Sequence, residues 1–201
     1  MTGLPEIPLF PLDTVLMPGG LLPLRIFERR YLDMIRNCGR EESGFGVCLV
    51  LEAESPERPV QHAAVGTLAM IRDFYTLKDG LLGITCEGAQ RFLVTRTHSA
   101  ADGLLTGAVD WLPDPPPTAI PEEYGLLAHI AERLLEKLEG RYPGFTPDRL
   151  QDAAWVGYRL SEWLPLDNAA RQSLLELNDP LERLQRLLEA MPGVQEEEPG
   201  E

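Results

Sequence analysis

Short apolar runs separated by turn signals make up the first 111 residues of the chain. This pattern is typical of a small antiparallel sheet and not of alternating strands and helices. Two Asp-Gly pairs, Asp79-Gly80 and Asp102-Gly103, each predict a hairpin, because glycine tolerates the positive φ that such turns need. The two hairpins would pair residues 68–76 with 81–87 and residues 92–97 with 104–111.

One helical pattern interrupts this half of the chain. Apolar side chains recur at three- and four-residue steps from residue 28 to about residue 38, and Gly39 is placed to end the helix. The positions on this face are Tyr31, Leu32, Ile35 and Cys38. The first half is therefore expected to be mostly β structure with one helix.

The second half has the leucine spacing of packed helices. Residues 121–139 carry one apolar stripe, which predicts an amphipathic helix. This stripe consists of Leu126, Leu127, Ile130, Leu134 and Leu138. Three further helices are predicted after the capping residues Thr146, Asp167 and Asp179. The first of these three would run to about residue 164, and the last would end before Gly193.

A proline-rich motif, Pro-Asp-Pro-Pro-Pro at residues 113–117, separates the two halves. Such a segment is stiff and poor in hydrogen-bond donors, which is typical of a linker. We therefore predict one domain over residues 1–114, a linker over 115–120 and a four-helix domain over 121–192. Residues 193–201 are rich in glutamate and poor in apolar side chains, and we predict that they form a disordered acidic tail.

Composition narrows the possible functions. The formal charge is −14 and is spread along the chain, so both halves should repel nucleic acid. No apolar stretch is long enough to cross a bilayer and no signal peptide is recognisable, so we expect a cytoplasmic protein without membrane contact. Neither the three cysteines nor the three histidines have the spacing of a metal site. We expect buried, reduced cysteines, no metal and no cofactor.

Several segments of the chain interleave proline or glycine with apolar residues. They are the run Pro-Leu-Phe-Pro-Leu-Asp at residues 8–13, residues 17–20 and 23–31, residues 44–47 and 65–69, and Glu-Gly-Ala-Gln-Arg-Phe at 87–92. Together these segments resemble the N-terminal domain of the Lon proteases. A weaker match extends to about Met191. The resemblance implies an α+β fold, with an N-terminal PUA-like, mostly antiparallel β-barrel that carries one helix. A C-terminal α-helical bundle follows.

In this family the domain helps to recognise polypeptide substrates. The resemblance therefore implies a non-catalytic, ATP-independent module that binds unfolded or degron-bearing polypeptide segments. A bound segment would either add as a strand to a sheet edge or press apolar side chains into a cleft, and the sequence does not choose between these modes. We expect a monomer or a weak homo-oligomer.

The catalytic parts of a Lon protease are not recognisable in this chain. Neither of its two lysines, Lys78 and Lys137, lies in a nucleotide-binding P-loop, and no serine lies in surroundings like those of the Ser-Lys protease site. We therefore expect a protein that is not an enzyme. Two other function classes stay open: an adaptor or regulator that docks on a specific protein partner, and, with less support, a cryptic peptidase.

Candidate binding residues gather at the predicted start of the first helix. They are Arg25, Phe27, Arg29, Arg30 and Tyr31. The arginines, conspicuous in an acidic chain, would hold acidic groups of a peptide while an aromatic side chain takes an apolar group. Alternatively, they pair with Glu28, Asp33 or other nearby acids and only decorate the helix.

Two other groups of side chains leave a choice between binding and core packing. The glycine pair at residues 19–20 predicts a mobile loop, and its apolar flanks are either an adaptable exposed contact or part of the core. These flanking residues are Met17, Leu21 and Leu22. In the second half, Trp155, Tyr158 and Trp163 lie near one face of a predicted helix, where core packing is favoured over a groove lining.

Overall fold

The computed structural model describes residues 4–52, 60–138, 142 and 145–191. Contacts between Cα atoms divide the chain into two units, Met1–Asp114 and Pro115–Glu201, which we call the N-terminal unit and the C-terminal unit. The predicted acidic tail at residues 193–201 lies outside the described residues.

The N-terminal unit consists of seven strands and one helix among its described residues. The strands are β1 (Glu6–Leu12), β2 (Leu21–Ile26), β3 (Phe45–Glu52), β4 (Gln61–His62), β5 (Val65–Thr76), β6 (Leu82–Ser99) and β7 (Leu105–Trp111). Helix α1 (Arg29–Glu41) connects β2 to β3. The expectation of a mostly antiparallel sheet with several helices in the chain is confirmed.

Pairing of the strands forms a circuit. β1 pairs with β7 on one side and with β3 on the other, so the order β1-β7-β6-β5-β3 returns to β1. The β1–β3 pairing is parallel, and the pairings of β6 with its neighbours are antiparallel. The predicted PUA-like barrel stays a prediction.

β6 is long because it takes part in two pieces of the sheet. Its first part, residues 82–87, lies between β5 and β2, and its later part pairs with β7. Gly88 lies between the part of β6 that pairs with β2 and the part that pairs with β7. A Cβ on Gly88 would lie 2.2 Å from the carbonyl oxygen of Met17. Only a residue without a side chain lets the two backbones approach this closely.

Both predicted hairpins are confirmed, and they share one turn design. The amides of Leu77 and Ala100 donate to the carbonyls of Leu81 and Leu104, which leaves a three-residue loop in each hairpin. The third loop residue is a glycine, with φ 83° at Gly80 and 82° at Gly103. The aspartate before it accepts a hydrogen bond from the amide that follows the loop. The Asp-Gly pairs therefore encode the turns locally.

Helix α1 is longer than predicted. It passes through Gly39 and ends at Glu41, and the left-handed capping position is taken by Glu42, with φ 51°. The prediction that Gly39 ends the helix is therefore wrong. Gly39 instead lies inside the helix and faces Phe74, since a Cβ at this position would lie 3.4 Å from the Phe74 ring.

The C-terminal unit contains the four predicted helices at altered positions. They are α2 (Gly125–Lys137), α3 (Ala153–Trp163), α4 (Asn168–Glu176) and α5 (Pro180–Glu189), and 3₁₀ turns lie at Glu122–Tyr124 and Pro147–Gln151. Asp167 and Asp179 cap α4 and α5 as predicted, since their carboxylates accept from the amides of Ala170 and Leu181. The buried face of α2 is rotated from the predicted stripe, because Leu126 is half exposed while Ala131 and Leu135 are buried.

The predicted continuous helix from Thr146 to residue 164 is wrong. Asp152 is extended and separates the 3₁₀ turn from α3, and it forms a bridge with Ala119. Its carboxylate accepts from the amide of Ala154 at 3.1 Å and from that of Thr118 at 3.4 Å. Residues 118–120, predicted as linker, are therefore bonded into the C-terminal unit, and this pairing interrupts the helix.

A buried arginine organises the interior of the C-terminal unit. Arg183 is fully buried, and its guanidinium donates to the carbonyls of Leu174 and Leu177 at the end of α4. It also lies over the ring of Tyr158 at 4.0 Å. Gly157 makes room for this side chain, because a Cβ there would lie 3.1 Å from Arg183 Cδ.

Among the described helices, none combines the length and the apolar character that crossing a bilayer requires.

Candidate functional site

The N-terminal unit has a groove of about 350 Å³. Its walls come from the end of β1, the end of β2 and the start of α1, with further side chains from β3 and from the β6–β7 hairpin. The lining consists of residues 10–13 and 24–28, Arg30, Tyr31, Val50, Val60, Ser99, Gly103 and Leu105. We call it the N-terminal groove.

Aromatic packing holds one wall of the N-terminal groove. The rings of Phe10 and Tyr31 stack with centroids 3.9 Å apart, and Phe10 also meets Phe45 at 6.0 Å. All three belong to one buried cluster of the core. This wall is therefore anchored in the core, which suits a site that must keep its shape.

Phe27 stands at the groove as an exposed aromatic side chain. With 64% of its surface exposed, it is the most exposed large apolar residue among those the structure describes. Its chain neighbours restrict it, because Ile26 is buried at the end of β2 and α1 begins at Arg29. An exposed aromatic side chain in the lining of a groove is a candidate anchor for a bound partner.

Arg30 ties two walls of the groove together. Its guanidinium donates to the carboxylate of Glu28 and to the carbonyl of Gly103, both at 3.0 Å. It also lies over the ring of Tyr31 at 4.9 Å. The start of α1 is therefore joined to the β6–β7 hairpin at Gly103, the turn residue with a positive φ.

The other two arginines of the predicted cluster also have acidic neighbours. Arg25 forms an ion pair of 2.7 Å with Asp79, and Arg29 Nε lies 3.9 Å from Asp33. Arg29 is 95% exposed, so this second pair is weak. The pairing with Glu28 and Asp33 that the sequence offered as the alternative is present. A role of these arginines in binding stays a prediction.

The structure brings half of the predicted set together in the groove. Arg25, Phe27, Arg30 and Tyr31 line it, whereas the other four predicted residues do not. Those four are Met17, Leu21, Leu22 and Arg29.

Of the two alternatives for Met17, an exposed contact or part of the core, the structure supports the core. Met17 is only 1% exposed, and the loop is bonded to β6 through Gly19 and Gly88 at 2.7 Å and through Gly88 and Gly20 at 2.9 Å. Leu22 packs against the core, so the core alternative holds for Met17 and Leu22, whereas Leu21 is partly exposed. The glycine pair at residues 19–20 therefore lets the backbone of the loop approach β6 closely, and it does not expose the loop.

Sequence reasoning missed the lining residues that come from distant parts of the chain. Examples are Phe10, Val50 and Leu105, which lie on three different strands. Phe10 belongs to the run at residues 8–13 that carried the family resemblance, so a signal was present there. Nothing local marks the other two, since apolar strand residues occur throughout this unit.

The aromatic group of the C-terminal unit is mostly packing. Tyr158 is 5% exposed beneath Arg183, and Trp155 and Trp163 are half-buried with centroids 6.1 Å apart. Tyr142 packs on Trp163 and donates to the carboxylate of Glu162. Burial is the main reason why the pKa of Tyr142 rises to about 12. Core packing, the favoured prediction, agrees with these contacts.

A second groove lies in the C-terminal unit between α4 and α5 and also measures about 350 Å³. It is lined by Leu166, Ala170, Ser173, Leu174, Leu177, Arg186 and Ala190. We call it the C-terminal groove. No residue of the predicted binding set contributes to it.

The cysteines lack the character of nucleophiles. Cys38, Cys48 and Cys86 are all buried, and burial is the largest cause that raises each thiol pKa. The pKa values of Cys48 and Cys86 reach about 12. A thiol reacts as the thiolate, so these side chains are inert at neutral pH.

The chain matches the family model of the ATP-dependent protease La (LON) substrate-binding domain over residues 6–192. A solved Lon N-terminal domain protein from Xanthomonas campestris is 43% identical, with a TM-score of 0.79 over 94% of this chain and 99% of that one. The N-terminal domain of a Lon protease from the Mycobacterium avium complex is 20% identical, with a TM-score of 0.62 over 92% of this chain and 97% of that one, and it supports the fold alone.

Curated relatives are longer proteins. The Lon protease of Escherichia coli K12 is 27% identical over 194 residues, which are 92% of this chain and 24% of that protein. The Lon protease of Lawsonia intracellularis is 26% identical over 89% of this chain and 22% of its own length. The chain thus spans about a quarter of the curated relatives it matches. With the family model covering nearly all of its residues, the chain belongs to the family of LON substrate-binding domains.

Proposed function

We propose that this chain is a non-catalytic module that binds unfolded or degron-bearing polypeptide segments without ATP, and that the N-terminal groove is the binding site. Membership in a substrate-binding family supports a polypeptide ligand. The observation that carries the choice of site is Phe27, an aromatic side chain exposed at the mouth of an apolar groove and held there by β2 and α1.

The groove has the chemistry that a loosely specific polypeptide binder needs. Aromatic and aliphatic side chains form most of its lining, and the guanidinium of Arg30 is fixed at its rim. Aromatic and arginine side chains contribute disproportionately to protein interfaces. Neither group performs chemistry on a peptide bond, which fits binding without turnover.

Replacement of Phe27 tests this proposal. We expect Phe27→Ala to weaken binding of a labelled, permanently unfolded polypeptide by about tenfold, because truncating an aromatic anchor commonly costs more than about 1 kcal/mol. Fluorescence anisotropy without nucleotide measures this affinity, with the folded form of the same polypeptide alongside.

Phe74→Ala is the matched control, since Phe74 is 52% exposed on the same unit but does not line the groove. Its affinity should stay within about twofold of the unmodified protein. Equal losses in both variants, or binding of the folded form as tight as that of the unfolded one, would contradict the proposal.

The C-terminal groove favours a second candidate, an adaptor that docks on a specific protein partner. It is apolar, and Arg186 lies at its side with 62% of its side chain exposed. Under this alternative, Ala170→Glu would abolish capture of one dominant partner while leaving unfolded-polypeptide binding intact.

A further inference from the structure

Two strand edges that reach the N-terminal groove have a neighbour on one side only among the described residues. β2 pairs with β6 and has no second strand beside it. Residues 10–12 of β1 pair with β3, whereas the pairing of β1 with β7 ends at Leu9 and Leu105. An open edge of this kind is where a peptide would add as a strand.

Hydrogen bonding fixes which residues of β2 face outward. The carbonyl of Gly20 accepts from the amide of Gly88 on β6, and Gly20 lies opposite Gly88 one step before the Leu21–Glu87 pair. Because backbone groups alternate along an antiparallel strand, Leu22 and Leu24 also turn toward β6. Leu21, Pro23 and Arg25 therefore turn their backbone groups to the open side.

The same reasoning orients β1. The carbonyl of Pro5 accepts from the amide of Val109 on β7, so residues 5, 7, 9 and 11 turn toward the β7 side. At Pro11, β7 is no longer paired with β1, so this side of Pro11 has no strand partner among the described residues. Pro11 on β1 and Pro23 on β2 therefore occupy outward positions at the two edges.

Proline has no amide hydrogen to donate at these positions. A strand added to either edge would lose a ladder hydrogen bond at its centre and would meet the proline ring. Residues 95–99 of β6, which end at the groove with Ser99, are polar and exposed throughout. A strand added there would bury little apolar surface. The edges at the groove are thus poorly suited to the addition of a peptide strand.

The groove itself accepts side chains. Its volume of about 350 Å³ lies near the lower end of the range for ligand pockets, roughly 300–1,000 Å³, and leaves room for one or two large side chains. Two arginines and two acids line it, namely Arg25, Arg30, Asp13 and Glu28, so the lining has no net charge in a chain of −14. A segment without net charge therefore suits this site better than an acidic or a basic one.

We infer that the N-terminal groove binds an unfolded polypeptide segment of no net charge by inserting one or two aromatic or large aliphatic side chains, and that Pro11 and Pro23 prevent the segment from joining the sheet as a strand. This inference rests on the proposed function and selects between its two binding modes. The segment's side chains, and not its backbone amides, determine the affinity.

Three synthetic peptides of equal length test this inference. The parent is an uncharged, unstructured peptide with two phenylalanines, the second has alternate backbone nitrogens methylated, and the third has both phenylalanines replaced by serine. N-methylation removes the donors that strand addition needs and keeps the side chains. We expect the methylated peptide to bind within about threefold of the parent and the serine peptide to bind at least about tenfold more weakly.

The salt dependence of the affinity for the parent peptide provides a second test. Between 50 mM and 500 mM NaCl, about a tenfold range, the affinity for the parent should change less than about twofold, because no net charge is recognised. If the parent binds but methylation costs tenfold or more, or salt weakens binding strongly, the inference is overturned and the proposed function stands. If the parent peptide does not bind at all to a protein that is shown to be folded, the proposed function fails as well.

Discussion

Single residues of the family motifs show what those motifs do in this structure. A Cβ on Gly46 would lie 2.6 Å from the ring of Phe92, and one on Gly66 would lie 2.7 Å from the same ring. Phe92 is fully buried and meets Trp111 edge to face. The three motif segments at residues 44–47, 65–69 and 87–92 therefore converge on one aromatic ring. They determine packing, whereas the groove is elsewhere.

Adding one methyl group at this ring should be costly. We expect Gly66→Ala to lower the free energy of unfolding by about 3 kcal/mol, because the new Cβ would also lie 2.5 Å from the carbonyl oxygen of Val47, and backbone cannot yield as a side chain does. Urea denaturation followed by tryptophan fluorescence measures the change.

Gly125→Ala provides the control for that variant. Gly125 has helical dihedral angles and no atom within 4 Å of a built Cβ, so alanine should be neutral or should stabilise the protein by up to about 1 kcal/mol. A Gly66→Ala protein as stable as the Gly125→Ala protein would show that the packing around Phe92 is looser than the distances indicate.

At the scale of elements, helix α1 has an energetically unfavourable C-terminal end and contributes side chains to the groove at its other end. It ends on Glu42 in the left-handed region, which is unfavourable for a residue with a Cβ. Its other end positions Arg30 and Tyr31 in the groove. The helix is therefore placed by what surrounds it, and not by its own stop signal.

Two neighbouring glutamates should respond oppositely to the same substitution. Glu42→Gly should raise the free energy of unfolding by about 0.5–1 kcal/mol, because glycine relieves the left-handed strain. Glu41→Gly should lower it by about 1 kcal/mol, because that residue is still helical. Thermal unfolding of both variants measures these changes, and a shift of the same sign in both would refute the assigned helix end.

At the scale of the whole molecule, both units keep groups that resist ionisation. In the N-terminal unit, burial raises the pKa of Cys48 and of Cys86 to about 12, and in the C-terminal unit the pKa of Tyr142 is also raised to about 12. Ordinary values are 9.0 for a thiol and 10.0 for tyrosine. The folded protein therefore holds these protons more tightly than the unfolded chain does.

Stability should consequently decrease in alkali. The contribution of the thiols is fully present below pH 9 and is lost between pH 9 and pH 12, and that of Tyr142 is lost between pH 10 and pH 12. Urea denaturation from pH 7 to pH 11 should show the free energy of unfolding falling above pH 9. The Cys48→Ala variant should fall less steeply, and an unchanged slope in that variant would contradict the role of Cys48.

How much of the fold is predictable depends on whether the signal is local. The two Asp-Gly hairpins and the helices capped by Asp167 and Asp179 were predictable, because each depends on a few adjacent residues. The C-terminal end of α1 and the start of α3 were not. Gly39 packs against a distant phenylalanine, and Asp152 pairs with a segment more than thirty residues away.

The same division holds for the candidate site. Four lining residues, Arg25, Phe27, Arg30 and Tyr31, lie within one short segment and were found from the sequence. The opposite walls, such as Phe10 and Leu105, were missed because strand pairing alone brings them there. The sequence left the position of Met17 open, because a glycine pair permits either a mobile loop or close backbone contact, and here the hydrogen bonds to Gly88 on β6 fix the loop.

By itself, the sequence determined the family and the residues from which a binding site would be built. It also determined that the first half is mostly antiparallel β structure with one helix and that the second half is helical. These follow from turn chemistry, apolar periodicity and motif residues, all of which act over short stretches of chain. Only the tertiary structure decided which of those residues form a groove. It also placed the motif glycines in the core, and it placed Pro11 and Pro23 at the strand edges that reach the groove. Such properties depend on strand register and on backbone direction, which arise when residues far apart in sequence pair.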